Sequence, residues 1–293
     1  MRIAIAGSHG LIGNNLVTFF RKTNNQVSRI IRSKDQNGIF WDPPTGYINH
    51  ERLEDFDVII NLCGAKIASL NPFFRNNKEL RDSRITTNLI LSKTIAKLKN
   101  PPKYFISASA TGIYSPSKRK ITESSKFNNG FLAQLALEWE EASRYFDNNK
   151  TKIVNLRLGQ VLSNESFYYR VLLNISKFMK ISCFGNGRQR WPWISINDVI
   201  GSINFIIETN QIEGAVNLSN PNLLSCRETL RIFASANNTF NLFRIPKLFI
   251  KLSTNKYSEE ILLNDYPVFP EKLITNGYTF KDKDLNKFIS GLN

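Results

Sequence analysis

Cysteine and histidine are scarce in this chain, with three of the first and two of the second among 293 residues. Cys63, Cys183 and Cys226 lie far apart without a Cys-x-x-Cys pair, and the histidines are His9 and His50. That scarcity argues against a structural zinc site or a disulfide framework as the organising feature. Also missing is a long apolar run at the start: Met1-Arg2-Ile3-Ala4-Ile5-Ala6 leads straight into a glycine motif, with nothing resembling a secretory cleavage site. A cytoplasmic protein is expected. Clustered positive charge is lacking too. The formal net charge is +15, yet the longest basic run is Lys118-Arg119-Lys120. A generally basic surface is therefore expected, without a dedicated nucleic-acid site and without a membrane partner.

What is present is an ordinary globular composition, 42% hydrophobic and 22% charged, in a chain long enough to bury a large core. Apolar strand-like runs recur at 2–6, 26–31, 57–62, 103–107 and 152–158, separated by amphipathic stretches near 11–22, 78–98 and 131–147. Such alternation predicts an α/β fold, a doubly wound parallel sheet covered by helices. Pro101-Pro102 is expected to end the second long helix. Beyond residue 162 the alternation weakens. The expected division is 1–162 for a cofactor domain and 163–293 for a smaller, mostly helical substrate-side region whose strand at 214–218 returns to the sheet.

Gly7-Ser8-His9-Gly10-Leu11-Ile12-Gly13 follows the first strand and opens the first helix. This is the setting in which a glycine triplet binds a dinucleotide. Gly7 permits the tight turn, Gly10 lets backbone approach a pyrophosphate, and Gly13 allows helix and strand to pack closely. The helix N-terminus offers free amides to the phosphates. The fold is thus expected to be of the Rossmann type. Arg32 ends the second strand, where NAD-specific folds usually place an acid. A guanidinium there can hold a 2′-phosphate, so NADP(H) is the expected cofactor; the alternative is a solvated arginine at a strand end. His9 reads as loop variation.

Further motifs are Asn61-Leu62-Cys63-Gly64, Asp82-Ser83-Arg84, Ser109-Ala110-Thr111-Gly112, Trp139-Glu140, Gly185-Asn186-Gly187-Arg188-Gln189, Trp193-Ile194, Pro270-Glu271-Lys272-Leu273 and Gly277-Tyr278-Thr279-Phe280. With these the whole chain resembles the NAD(P)-dependent epimerase group of extended short-chain dehydrogenases. The resemblance is to a subgroup of uncharacterised epimerase family proteins with a distinctive C-terminal segment. It implies cofactor contacts at Leu62, Gly64, Glu79, Arg84 and Val161. For Arg84 a surface ion pair with Glu79 or Asp82 is an equal alternative, and Glu79 taken alone reads as surface.

Enzymes of this kind use a Ser, a Tyr and a Lys, since a hydroxyl must exchange a proton while nicotinamide exchanges a hydride. Ser109 matches the serine. The Tyr-x-x-x-Lys positions on the following helix are occupied by Phe131 and Leu135, which transfer no proton. Tyr114-Ser115-Pro116-Ser117-Lys118 matches the pattern only literally, because Pro116 opposes a helical turn. Tyr114 resembles a tyrosine common in the subgroup and is the first candidate for a replacement acid or base; the alternative is an aromatic packed at a strand end. Ser195 and Asn197 stand where the group favours other residues, and Asp198 is retained. Arg188 is a candidate for an anionic substrate group, and Trp139 is expected to mark the buried edge of a helix otherwise lined with Glu138, Glu140 and Glu141.

The sequence supports three readings. The first is an NADP(H)-dependent oxidoreductase or epimerase-like enzyme acting on a small carbonyl or sugar-derived substrate. The second is a nicotinamide-binding protein with reduced or no catalysis, serving as a redox-state sensor or partner-binding module. The third, resting on charge alone, is a nucleic-acid-associated scaffold.

Overall fold

The computed structural model describes residues 1–34, 37–65, 77–145, 150–240, 242–253 and 256–292. In chain order the strands and helices are β1 (Arg2–Ala6), α1 (Leu11–Lys22), β2 (Gln26–Ile31), β3 (Ile39–Asp42), β4 (Tyr47–Ile48), β5 (Val58–Asn61), α2 (Asn77–Arg81), a π turn (Asp82–Thr86), α3 (Thr87–Ile95), β6 (Tyr104–Ala110), α4 (Phe131–Ser143), β7 (Lys152–Leu158), β8 (Gln160–Leu162), α5 (Phe167–Lys177), β9 (Ile181–Phe184), β10 (Trp193–Ser195), α6 (Ile196–Thr209), β11 (Gly214–Leu218), α7 (Cys226–Ala236), β12 (Phe243–Ile245) and α8 (Lys247–Ser253). Three further short helices complete the chain.

The fold is α/β, built on an eight-stranded sheet in the order β11-β7-β6-β5-β1-β2-β3-β4. β1 pairs in parallel with β2 on one side and β5 on the other, β5 with β6, and β2 with β3; β3 and β4 are antiparallel. The chain therefore reverses its winding direction at β1. The strand at 214–218 joins the sheet, as the sequence pattern predicts.

Two compact units share the chain. One comprises 1–110, 133–157 and 203–216, and the other 111–132, 158–202 and 217–293. The sequence pattern sets one boundary near 162; the units instead exchange segments, the first taking 203–216 while 111–132 belongs to the second.

In the first unit, Ile3, Ile5, Ile59, Ile60 and Ile106 are fully buried, which explains why its strands read as nearly continuous apolar runs. α1 buries Gly13, Leu16, Val17 and Phe20, one helical stripe, and carries Arg21 and Lys22 in its last turn, where they oppose the negative end of its dipole. The stretch expected as one helix over 78–98 contains the π turn and stops at Ile95, before the prolines. The ladder tightens first: Ala96 N–H donates to Ser92, whereas Lys97 and Leu98 reach back only three residues, to Thr94 and Ile95.

The second unit has its own core, in which Leu162, Cys183, Trp193, Cys226, Phe233, Leu285 and Ile289 are all nearly inaccessible. Asp198 stitches the C-terminal segment to the start of α6. This fully buried carboxylate accepts from Ser195 Oγ (3.1 Å), Tyr278 OH (3.0 Å), Lys281 N–H (2.7 Å) and Asp282 N–H (2.9 Å). Gly201 makes room for the tyrosine, since a Cβ there would lie 2.5 Å from Tyr278 OH.

Candidate functional site

A cavity of about 1170 Å³ opens beyond the C-terminal ends of β1, β2 and β5, at the top of the size range of small-molecule sites. In doubly wound sheets this reversal point is where ligands bind. The glycine loop forms its floor through Gly7, Ser8, His9 and Gly10, and Arg32 and Ser33 extend from β2. Trp41, Pro43 and Pro44 wall one side; Leu62, Cys63, Gly64 and Ala65 wall another. Glu79, Asp82 and Ser83 complete the rim from α2 and the π turn.

The glycines of this loop are required by close approach. Gly7 has φ +72°, and a Cβ on it would sit 2.7 Å from the carbonyl carbon of Leu62. At Gly13 a Cβ would lie 2.4 Å from Gly7 O and 2.7 Å from Ser8 Cα. Gly10 is the N-cap of α1 and supplies no side-chain cap, so the first amides of the helix stay available to a ligand. Leu11 and Ile12 are the first residues of α1 and are half-buried. Arg29, which sequence reading passed over, reaches from β2 to the loop, donating to the Ser8 carbonyl and to Asn14 Oδ1 at 3.1 Å. Its signal was a cation three residues before Arg32 in a half-buried strand.

Arg84 belongs to the interior. It is 5% exposed, so the surface ion pair weighed for it is replaced by hydrogen bonds to backbone carbonyls: Nη1 donates to Leu80 O at 3.1 Å and Nη2 to Ala65 O at 2.9 Å. Its guanidinium carbon lies 5.0 Å from the centre of the Trp139 ring. A Cβ on Gly64 would come within 3.3 Å of it. Burial pushes the Arg84 pKa down to about 10, and its Nε has no hydrogen-bond partner among the described residues. A buried cation held by backbone carbonyls fixes the Ala65 end of the loop after β5 against the start of the π turn.

Cys63 lines the same cavity. Burial pushes its thiol up to about 12, while the positive charge of Arg32 pulls the other way. The raised value leaves almost no thiolate at neutral pH. Iodoacetamide at pH 8 is thus expected to leave Cys63 unmodified over times that alkylate a free thiol, as read by peptide mass; prompt alkylation would show that the thiol is open to solvent.

At the end of β6, Ser109 is 2% exposed and donates to Glu140 Oε1 at 2.7 Å. Glu140 does not lie along the charged outer face expected for its helix: it is 7% exposed and held by Arg157, whose Nε and Nη2 donate to its two oxygens at 2.8 and 2.9 Å. This buried arrangement was missed, although an arginine inside the apolar run Lys152–Leu158 is its signal. Trp139 is buried, as expected.

Of the remaining candidates, Tyr114, Phe131, Val161 and Arg188 lie in the second unit and Leu135 in the first. Tyr114 is fully buried, and its hydroxyl donates to Asn217 Oδ1 at 2.6 Å. No helix forms at 114–118; Tyr114 follows a short 3-10 turn and bridges to Phe127. Val161 sits in β8, paired with Ile194 of β10. Arg188 is exposed on the loop after β9. The residues at the expected Tyr and Lys positions, Phe131 and Leu135, stand at the start and in the second turn of α4, Leu135 being buried.

A sequence profile described as the NAD dependent epimerase/dehydratase family matches residues 3–219. An epimerase family protein of Mycobacterium bovis is 32% identical over 281 residues, covering 95% of this chain and 93% of its own length. Among solved structures, the human epimerase family protein SDR39U1, crystallised with NADPH, superposes with a TM-score of 0.88 at 26% identity, over 100% of this chain and 99% of that one. A nucleoside-diphosphate sugar epimerase from Corynebacterium glutamicum gives 0.80 at 25% identity, covering 99% of this chain and 57% of that one.

Proposed function

The chain belongs to the NAD dependent epimerase/dehydratase family, and from that membership we propose that its first unit binds NADP(H) in preference to NAD(H) and acts on a small carbonyl or sugar-derived substrate by hydride transfer. The observation that carries the reading is the cavity over β1, β2 and β5, with a cationic Arg32 and the small polar Ser33 following β2. An acid at that point would repel a 2′-phosphate; arginine and serine both donate to it. The NADPH found with the human relative supports the same choice.

The residues fit the group. Gly7, Gly10 and Gly13 leave space that a side chain would fill, and the amides of Leu11 and Ile12 would face the pyrophosphate. Arg32 and Ser33 would hold the 2′-phosphate, and Leu62 and Gly64 the ribose. Arg84 is a cofactor contact on the family resemblance, its buried charge lying behind the cavity wall formed by Gly64 and Ser83, and Glu79 would accept from a ribose hydroxyl. Val161 is carried as a further contact on resemblance alone. When bound, the nicotinamide supplies or accepts the hydride.

Ser109 would orient a substrate oxygen, accepting a hydrogen bond while it donates to Glu140. Arg157 keeps that carboxylate in place. Tyr114 is retained as the replacement acid or base only if its hydroxyl leaves Asn217.

A second reading, a nicotinamide-binding protein with reduced or no catalysis, is supported by the burial of both Ser109 and Tyr114 and by Phe131 and Leu135 where Tyr and Lys would stand. Loss of a general acid or base costs about 10²- to 10⁴-fold in rate.

Titration with NADPH, NADP, NADH and NAD tests the cofactor assignment. A charge-assisted contact from Arg32 contributes roughly 1.5–3 kcal/mol, so Arg32→Ala is expected to weaken NADPH about 10- to 150-fold and NADH little. Equal losses for both would remove Arg32 from 2′-phosphate recognition. Turnover of a carbonyl panel that falls with Ser109→Ala would favour the enzyme; NADPH binding without turnover would favour the second reading.

A further inference from the structure

Two stretches of the chain, 166–197 and 229–258, contain no Asp or Glu, and each carries five Lys or Arg. Separated in sequence, they are joined in the second unit. β12 pairs in parallel with β9, and the Leu242 and Phe243 amides donate to Lys180 O at 2.7 and 3.0 Å. Along this seam large apolar side chains stand in solvent. Phe178 is 70% exposed, Met179 56%, Phe240 60%, Leu242 58% and Phe243 60%. The Lys177 ammonium lies 5.7 Å from the Phe178 ring centre, and that of Lys180 4.7 Å from Phe240. Lys251, by contrast, has its charge answered by Glu259 at 3.7 Å.

Exposed apolar residues on soluble proteins are ordinarily scattered, and a concentrated patch marks an interaction surface. Apolar side chains interleaved with lysines, with no acid in either stretch, match the interface of an anionic bilayer: hydrocarbon below, phosphate above. We propose that the β9–β12 seam and the 178–180 turn dock on an anionic lipid surface. Phe178, Met179, Leu242 and Phe243 enter the boundary between headgroups and acyl chains, and Lys177 and Lys180 meet lipid phosphates.

Charge separates this occupant from the others. A second copy placed face to face would set these lysines against their own counterparts, whereas anionic lipid reverses the sign. Single-stranded nucleic acid would stack on the phenylalanines but would gain nothing from Met179 and Leu242, since stacking needs a π face.

The full chain is sedimented with phosphatidylcholine–phosphatidylglycerol vesicles and with phosphatidylcholine vesicles, at low and high salt. The expected result is binding to the anionic vesicles, weakened by salt as screening requires. The double variant Phe178→Ser/Phe243→Ser removes two exposed rings and is expected to bind at least about tenfold more weakly. Unchanged thermal unfolding and far-UV circular dichroism show that the variant is folded; Leu242→Ser serves as the second variant should it not be. Absence of binding to anionic vesicles at low salt overturns the proposal. So does a dimer in light scattering that the double variant dissociates, or binding of a single-stranded oligonucleotide with none to lipid. None of these outcomes depends on the cofactor assignment.

Discussion

Gly13→Val is expected to abolish NADPH binding and to lower stability by about 1–3 kcal/mol or more, because the loop has nowhere to go. The added Cβ would meet the Gly7 carbonyl oxygen at 2.4 Å and Ser8 Cα at 2.7 Å. Both are backbone atoms of the turn that is proposed to hold the pyrophosphate, so relief requires moving that turn. Gly46→Ala is the control. Gly46 also has positive φ, +74°, but a Cβ there meets nothing within 4 Å. It is expected to cost about 1 kcal/mol of backbone strain and to leave binding intact. Thermal shift with and without NADPH reads both effects. Full ligand stabilisation of Gly13→Val would move the cofactor away from the glycine loop.

Glu140→Ala is expected to destabilise the protein by about 3–5 kcal/mol, a large share of the roughly 5–15 kcal/mol that holds a typical domain together. The loss comes from what remains. Arg157, 3% exposed, would keep its charge but lose the carboxylate that accepts from its Nε and Nη2, and the Ser109 hydroxyl would lose its partner as well. Replacing both charges by apolar groups of similar volume, as in Glu140→Leu/Arg157→Met, is expected to recover most of the loss, since desolvation of the pair is then removed along with its attraction. Urea denaturation of Glu140→Leu, Arg157→Met and the double variant gives the coupling directly. Additive losses would mean that the ion pair does not contribute as a unit.

The same pair shows why the buried polar side chains were harder to read than the glycine loop. Glu140 sits beside Glu138 and Glu141 in a helix of mixed character, and one-dimensional patterning assigns such a run to solvent. Only the register of α4 against β6 and β7 turns Glu140 inward to Ser109 and Arg157 while Glu138 reaches Arg81. Tyr114 is a parallel case. Its resemblance to a tyrosine common in the subgroup made it a candidate acid, whereas its burial and its bond to Asn217, 103 residues onward, are visible only in the folded chain. Arg84 differs in that the family resemblance singled it out, with a surface pair to neighbouring acids as an equal alternative. The π turn at 82–86 brings it inside.

Local order was written into the chain itself. β1, α1, β2, β7 and β11 begin and end where apolar period, glycine and flanking charge place them, because each of those signals acts over a few residues. The glycine loop was legible for the same reason: its chemistry lies within seven consecutive positions. Long-range encounters could be decided only by tertiary structure. The exchange of segments between the two units, the burial of Glu140 against Arg157, and the meeting of two acid-free stretches at the β9–β12 seam each join residues remote in sequence. Lys180, distant in sequence from Phe240 and Phe243, comes beside them once those strands pair. Burial and electrostatics depend on distance in space, and at these positions the fold sets that distance.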